Sequence, residues 1–196
     1  YEIRLNMPAV HNVYNAMAAA TCAKLLGVKT EDVARGLSAL KSVPGRLECA
    51  GEYNGAHIFI DFAHTPEALA KALEALRPMT PGRIIAVFGC GGCRDKGKRP
   101  LMGAAAGQYA DLTVLTSDNP RTEDPLAIIR DILPGLSGPH LVIPDRREAI
   151  FRALDLARPG DTVILCGKGH EITQETGGHR LPMDERQIIA EYINGS

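Results

Sequence analysis

The stretch RIIAVFGCGGCRDKGKRP (83–100) carries the pattern that decides the fold class. Its start, RIIAVFG (83–89), is almost wholly apolar, which predicts a strand buried on both faces of a sheet. From Phe88 onward it holds four glycines, two cysteines at C-x-x-C spacing and five charges, which predicts a loop. A helix is expected from about Arg99 to Tyr109. A strand that passes through a loop into a helix is the building unit of a parallel sheet.

The same alternation continues on both sides of this unit. Four further apolar runs predict strands: HIFIDFA (57–63), DLTVLTS (111–117), HLVIP (140–144) and DTVILCG (161–167). Helices are expected after Thr65, from about Pro125 to Leu133, after Asp145, and over DERQIIAEYI (184–193), with Thr65 and Asp145 as N-caps. Five strands separated by helices predict an α/β fold with a doubly wound, mostly parallel, Rossmann-like sheet.

Two further helices are predicted ahead of the sheet. The first spans about residues 8–26, and the second begins with Thr30 as its cap. In the first, four apolar residues fall roughly on one face: Val10, Val13, Met17 and Leu25. SVPGR (42–46) then breaks the helical pattern and predicts a linker. We therefore expect a helical unit over 1–45 and the sheet domain over 46–196.

Composition excludes several classes of partner. The 196 residues carry a net charge of −1, which argues against a nucleic acid or a membrane surface as the main partner. No apolar run approaches the roughly 18 residues of a membrane span. The five cysteines are an odd number at scattered positions, which fits a reducing cytosol better than a disulfide scaffold. We expect a cytoplasmic protein, with a monomer as the default.

The unusual residues collect where the predicted strands end. Four polar loops with glycine or proline follow them: DFAHTP (61–66), GCGGCRDKGKRP (89–100), SDNPRTEDP (117–125) and GKGHE (167–171). Ligands of doubly wound sheets bind beyond the carboxyl ends of the strands. The four loops therefore predict one binding site at that edge.

The glycine-rich loop has several readings. Cys90 and Cys93 have thioredoxin-like spacing, but a redox dithiol usually begins a helix, and here Arg-Asp-Lys-Gly follows. A zinc site would need a second ligand pair, and the sequence has no second C-x-x-C. A phosphate cradle is plausible because glycines let backbone N–H groups approach an anion, and four basic residues add charge: Arg94, Lys96, Lys98 and Arg99. It is not a Walker A loop, and no metal site is expected.

DNPR (118–121) combines an acid, an amide and a guanidinium within four residues. Arg121 can grip a carboxylate through two parallel hydrogen bonds, and Asp118 could hold an ammonium, which together suit a zwitterionic amino acid. The alternative is a helix-entry turn with a polar cap. In GKGHE, Glu171 could accept from an amine, whereas a lone histidine such as His170 is more often structural than a catalytic base.

Six motifs in a fixed order carry a family resemblance: HNVYNAMAAA (11–20), VPGRLE (43–48), DFAHTPEAL (61–69), FGCGGCRDKGKRPLMG (88–103), TSDNPRTEDP (116–125) and GKGHE (167–171). The series resembles the Mur ligases, and most closely the MurE type that adds the third residue of the peptidoglycan stem peptide. That family has three domains. The resemblance implies that residues 1–45 are the terminal helices of the central ATP-binding domain and 46–196 the C-terminal, amino-acid-binding domain.

The resemblance also implies a chemistry. In such a ligase ATP phosphorylates the D-glutamate carboxylate of UDP-MurNAc-L-Ala-D-Glu, and the amine of meso-diaminopimelate attacks the acyl phosphate. The P-loop and the Mg²⁺ ligands belong to the preceding part of the family's central domain. We therefore expect no catalytic residue in this chain and no ATP hydrolysis by it alone.

Carried over residue by residue, the family pattern implies two sets of binding residues. The diaminopimelate set is Arg94, Asp118, Asn119, Pro120, Arg121, Gly167 and Glu171. The nucleotide set is Asn12, Asn15, Arg46, Asp61 and His64. Arg94 and Arg121 would address carboxylates, and Asp118 and Glu171 the distal ammonium. Asp61 would suit a ribose hydroxyl, and Asn15 the adenine side.

One position departs from the family pattern. The family loop usually has Asp where this chain has Cys93, so Arg94 lacks a neighbouring carboxylate there. The alternatives to a diaminopimelate ligase are a related ligase for lysine or glutamate, such as a folate-polyglutamate or cyanophycin synthetase, and a non-catalytic binding or redox module built on Cys90 and Cys93. Arg121 is the residue that discriminates diaminopimelate from lysine.

Overall fold

The computed structural model describes residues 2–8 and 10–195. Tyr1, Ala9 and Ser196, which the predicted domain ranges include, lie outside them. The described residues form seven α-helices: α1 (Val10–Leu25), α2 (Thr30–Ala39), α3 (Pro66–Leu76), α4 (Lys98–Tyr109), α5 (Pro125–Ile132), α6 (Arg146–Leu156) and α7 (Glu185–Gly195). Short 3₁₀ turns at Arg77–Met79 and Leu133–Gly135 extend α3 and α5.

In the part of the chain that the structure describes, the main sheet has six strands: β1 (Glu48–Tyr53), β2 (Ala56–Asp61), β3 (Ile84–Phe88), β4 (Leu112–Leu115), β5 (His140–Val142) and β6 (Thr162–Cys166). Their order is β1-β2-β6-β3-β4-β5. Every neighbouring pair is parallel except β1 with β2, so the predicted doubly wound, mostly parallel α/β fold is confirmed. A separate antiparallel hairpin joins β7 (Thr173–Thr176) to β8 (His179–Pro182).

The core lies on both faces of this sheet. Within β3, Ile84, Ala86 and Phe88 face α3, α4 and α5. The alternating residues Ile85 and Val87 face α6 and α7. All five side chains of β3 are completely buried, which explains why its sequence is a continuous apolar run rather than an alternating one.

Polar side chains fix where several helices begin. Thr65 Oγ1 accepts from the amide of Ala68 at the start of α3, and Asp145 Oδ1 accepts from the amide of Glu148 at the start of α6. These two predicted caps are confirmed. Each cap satisfies an amide that has no partner within its own helix, and each helix leads away from the carboxyl edge of the sheet. The predicted Thr30 cap is wrong, because Thr30 is the first residue of α2, and Lys29 is the N-cap without a side-chain hydrogen bond.

The α1 helix is mostly exposed. The four apolar residues predicted to share a face, Val10, Val13, Met17 and Leu25, are all exposed. No helix within residues 2–8 and 10–195 is both long and apolar enough to cross a bilayer. The division of the chain at residue 45 stays a prediction.

Candidate functional site

A cavity of about 420 Å³ lies at the carboxyl edge of β3, β4 and β6, where the predicted loops meet. Six of the seven residues predicted for the amino acid line it: Arg94, Asp118, Asn119, Arg121, Gly167 and Glu171. Pro120 is not among its lining residues, and His64 of the nucleotide set is. A second cavity, of about 540 Å³, lies beside His57 and Thr162, where β2 and β6 begin, and contains none of the predicted site residues.

The glycine-rich loop is docked against the DNPR loop. Gly92 donates its amide to Asn119 O at 2.9 Å, and Arg121 Nη1 donates to Gly92 O at 2.8 Å. A Cβ at Gly92 would lie 2.0 Å from Pro120 O, a contact that no side chain could make. The glycine here therefore permits a close approach of two backbones.

Arg99 also ties these two loops together. It is wholly buried, and its Nη1 and Nη2 each donate to a Glu123 oxygen at 3.0 Å, while Nη1 also reaches Asp131 at 2.8 Å. The amide of Cys93 also donates to Glu123. Hydrogen bonds from Arg99 lower the pKa of Glu123 to about 2. Arg99 is thus a structural cation, contrary to its predicted place among charges available to phosphate.

The hairpin β7–β8 holds Arg121 in a strained backbone conformation, with φ at +55°. The Arg121 amide donates to Glu175 O at 2.9 Å, and its Nε lies 3.3 Å from Glu175 Oε2. Within residues 2–8 and 10–195, Nη2 of Arg121 makes no hydrogen bond. The guanidinium is therefore anchored on two sides, and Nη2 remains for a ligand.

The acidic side of the cavity is formed by Asp118 and Glu171. Asp118 is buried beside Gly167, where an added Cβ would lie 2.6 Å from Asp118 Oδ2. Glu171 Oε2 accepts from Asn119 Nδ2 at 2.9 Å and from Lys168 Nζ at 3.0 Å. Burial opposes ionisation of Glu171, but these two hydrogen bonds prevail and lower its pKa. Glu171 is therefore a carboxylate at neutral pH.

A family model described as "Mur ligase, glutamate ligase domain" matches residues 45–169. The chain belongs to the Mur ligase family. A UDP-N-acetylmuramoyl-L-alanyl-D-glutamate–2,6-diaminopimelate ligase of Caldanaerobacter subterraneus is 48% identical over 195 residues, which are 98% of this chain and 40% of that protein. A ligase of the same name, numbered 1, from Clostridium acetobutylicum is 42% identical with the same coverage.

A solved structure with the diaminopimelate ligase name superposes with a TM-score of 0.77 and 37% identity, covering all of this chain and 40% of that one. The chain thus spans about 40% of the length of the curated relatives it matches. The resemblance to the Mur ligases, and among them to the MurE type, is confirmed.

The predicted nucleotide residues of this Mur ligase chain fall into two places. Arg46 lies with its guanidinium carbon 5.5 Å from the centre of the Phe62 ring, and that ring contacts His64 with centroids 4.7 Å apart. Asn12 donates to Pro8 O and Asn15 to Asn12, both on or beside α1, and neither lines the cavity. Arg46 and His64 are exposed, so their polar ends are accessible to a ligand.

Asp61 has a structural role that was not predicted from the sequence. Its two oxygens accept from the amides of Leu47 and Ala63 at 2.7 and 2.8 Å, which fixes the ends of β1 and β2 beside the site. A carboxylate oxygen can accept more than one hydrogen bond, so the ribose role of Asp61 stays a prediction.

The two cysteines of the Mur ligase loop have opposite environments. Cys90 is buried, and burial raises the pKa of its thiol to about 12. Cys93 is exposed, and a hydrogen bond with Thr122 lowers the pKa of its thiol. Both are free thiols. Within the described part of the chain, no three His, Cys, Asp or Glu residues cluster in a way that could hold a metal.

Two charged residues near this site were not singled out from the sequence: Lys168 and Arg146, which are buried beside or beneath the loops. Lys168 lies within GKGHE, so its motif gave a signal, whereas Arg146 looks like an ordinary residue of a helix start. The hairpin did have a signal, because Gly177-Gly178 between two short polar segments suits a tight turn with positive φ at both positions.

Proposed function

We propose that this chain is the C-terminal part of an ATP-dependent ligase that joins meso-diaminopimelate to UDP-MurNAc-L-Ala-D-Glu in peptidoglycan synthesis. In this proposal, residues 46–196 bind the amino acid, and residues 1–45 complete a central ATP-binding domain. The names of the relatives support it, as does the exposed apolar face of α1, which further parts of such a domain would cover.

The observation that carries the proposal is the separation of charges in the 420 Å³ cavity. Diaminopimelate has an ammonium and a carboxylate at each end. Arg121, with Nη2 free, and the exposed Arg94 suit its carboxylates, whereas Glu171 and Asp118 suit an ammonium. Lysine lacks the second carboxylate, and it would therefore leave Arg121 without a ligand partner.

The nucleotide residues fit this proposal in part. Arg46 and His64 present a guanidinium and an imidazole beside the cavity, which suits the phosphates or ring of ATP. Asp61 would reach a ribose hydroxyl, and Asn12 and Asn15 would lie on the adenine side. When bound, ATP supplies the phosphoryl group that activates the acceptor carboxylate. The Mg²⁺ ligands are expected in the preceding part of the central domain.

An amide chemical-shift titration of this chain tests the proposal. We expect meso-diaminopimelate to shift Arg94, Asn119, Arg121 and Gly167, and L-lysine or L-glutamate to shift them much less. Arg121→Ala should abolish the difference between diaminopimelate and lysine, whereas Arg152→Ala, an exposed change on α6, should preserve it. An equal response to all three amino acids would contradict the assignment of diaminopimelate.

A kinetic test uses the full-length ligase. Because Arg121→Ala removes a charged hydrogen-bonding partner from a partly buried site, it should cost roughly 2–4 kcal/mol of diaminopimelate binding, seen as a raised KM. An unchanged KM would rule out Arg121 as the carboxylate partner.

Alkylation of Cys90 and Cys93 distinguishes the ligase from the redox alternative, since a redox module would lose its activity altogether.

A further inference from the structure

Lys168 is a completely buried lysine immediately behind the predicted amino-acid site. Lysine is almost never fully buried unless its charge is paired. Its Nζ donates to Asn119 Oδ1 at 3.2 Å, Glu171 Oε2 at 3.0 Å and Thr173 O at 2.7 Å. An ammonium has three N–H donors, so Lys168 has no donor left for a ligand.

These bonds determine the orientation of the Asn119 side chain. Asn119 Oδ1 accepts both from Lys168 and from the amide of Glu175, at 3.0 Å. An amide flipped by 180° would direct an NH₂ group at these two donors. Its Nδ2 must therefore point the other way, and it donates to Glu171 Oε2 at 2.9 Å.

The same bonds distinguish the two oxygens of Glu171. Oε2 accepts from both Asn119 and Lys168, whereas Oε1 has no hydrogen-bond partner among residues 2–8 and 10–195. The Glu171 side chain is 35% exposed to solvent and lines the cavity. One oxygen is thus used for positioning, and the other is left for a ligand.

We propose that Lys168 is a positioning residue, which holds Asn119 and Glu171 Oε2 so that Glu171 Oε1 can accept a hydrogen bond from the ammonium of the amino-acid substrate. The ligand half of this inference rests on the proposed function. Lys168 itself does not contact the substrate. Lysine suits the position because its three donors meet three acceptors, and a neutral side chain could not offset the charge of Glu171 beside buried Asp118.

The first test needs no ligand. The Glu171 carboxyl ¹³C shift is followed against pH in the wild-type chain and in Lys168→Met, a variant of similar length without charge. We expect the Glu171 pKa to move upward in Lys168→Met and to stay low in Lys168→Arg, which keeps the charge. Lys98→Met is the matched control, because Lys98 lines the same cavity but donates to His64 O instead. An unchanged Glu171 titration in Lys168→Met overturns the inference.

A second readout covers the case in which Lys168→Met does not fold. In the wild-type chain, a buried, hydrogen-bonded ammonium should give a slowly exchanging ¹⁵Nζ signal. We expect that signal and the Asn119 side-chain amide to shift with the same midpoint as the Glu171 carboxyl. A Lys168 signal that does not change while Glu171 titrates would overturn the positioning role.

The ligand half is tested with meso-diaminopimelate itself. Lys168→Met should weaken its binding by roughly 10- to 100-fold, the loss expected when a charged hydrogen bond is misaligned. Undiminished binding to a folded Lys168→Met variant overturns this half. If the wild-type chain does not bind diaminopimelate but the Glu171 pKa rises in Lys168→Met, the proposed function fails and the positioning role stands.

Discussion

Replacing Arg146 by methionine should strongly destabilise the sheet domain, because this arginine is buried and paired. Arg146 and Glu185 are both completely buried, and Nε of Arg146 donates to Glu185 Oε1 at 2.8 Å. Its Nη1 and Nη2 donate to Ser117 O at 3.1 Å and Cys166 O at 2.9 Å. One side chain thus joins the ends of β4 and β6 directly before Asp118 and Gly167.

The magnitude follows from what methionine leaves behind. Methionine replaces only the aliphatic part of the arginine side chain, so the space of the guanidinium is left unfilled. Glu185 would also keep a buried charge without a cation, and two carbonyls would lose their donors. Breaking a buried ion pair from one side costs about 3–5 kcal/mol of unfolding free energy. Adding Glu185→Met removes the stranded carboxylate, and the double variant should regain about 1 kcal/mol or more.

Urea unfolding followed by far-UV circular dichroism measures these free energies. The chain offers a matched control, because Arg147 and Glu191 pair between the same two helices, with side chains 48% and 54% exposed. Arg147→Met should therefore change stability by only about 0–1 kcal/mol. The reasoning is refuted if Arg146→Met costs less than about 1 kcal/mol, or if adding Glu185→Met destabilises the chain further.

Three further predictions concern the loops and their surroundings. Gly92→Ala should lower the unfolding free energy by about 1–3 kcal/mol, because the new Cβ would clash with the carbonyl of Pro120 in the facing loop. Gly36→Ala, in open space on α2, should raise it by about 0.5–1 kcal/mol. Urea unfolding compares the two variants, and equal effects would contradict the close approach of the two loops. Iodoacetamide at about pH 7.5 should alkylate Cys93 well before Cys90 by mass spectrometry, because burial raises the pKa of Cys90 to about 12 and a hydrogen bond lowers that of Cys93; the reverse order would be inconsistent with these environments. The pKa of Glu123 falls from 4.5 to about 2 on folding, so its stabilising effect is present above pH 4.5 and lost as the pH drops through about 2; Glu123→Gln should flatten the acid branch of the stability curve, and a curve as steep as the wild type would refute the assignment.

The sheet could be predicted largely because its strands are buried on both faces. A strand in that position must be apolar at every residue, so RIIAVFG and DTVILCG stand out from their polar surroundings. Two elements escaped prediction for the opposite reason. Strand β1, ECAGEY, is half-exposed at the edge with an irregular register at Gly51, and β7–β8 is short and polar. An exposed strand needs no apolar pattern, and its sequence therefore resembles a loop.

Local pattern and chain direction are enough to predict the fold class, the helix caps at Thr65 and Asp145, and which loops meet at the carboxyl edge. Which charged side chains stabilise the scaffold depends on contacts that form only in the folded chain. In the sequence, three buried charges look like ordinary surface residues: Lys168, Arg99 and Arg146. Each is buried against partners up to 49 residues away along the chain. A cationic side chain can be buried only where distant segments supply several hydrogen-bond acceptors at once. These segments come together only in the folded chain.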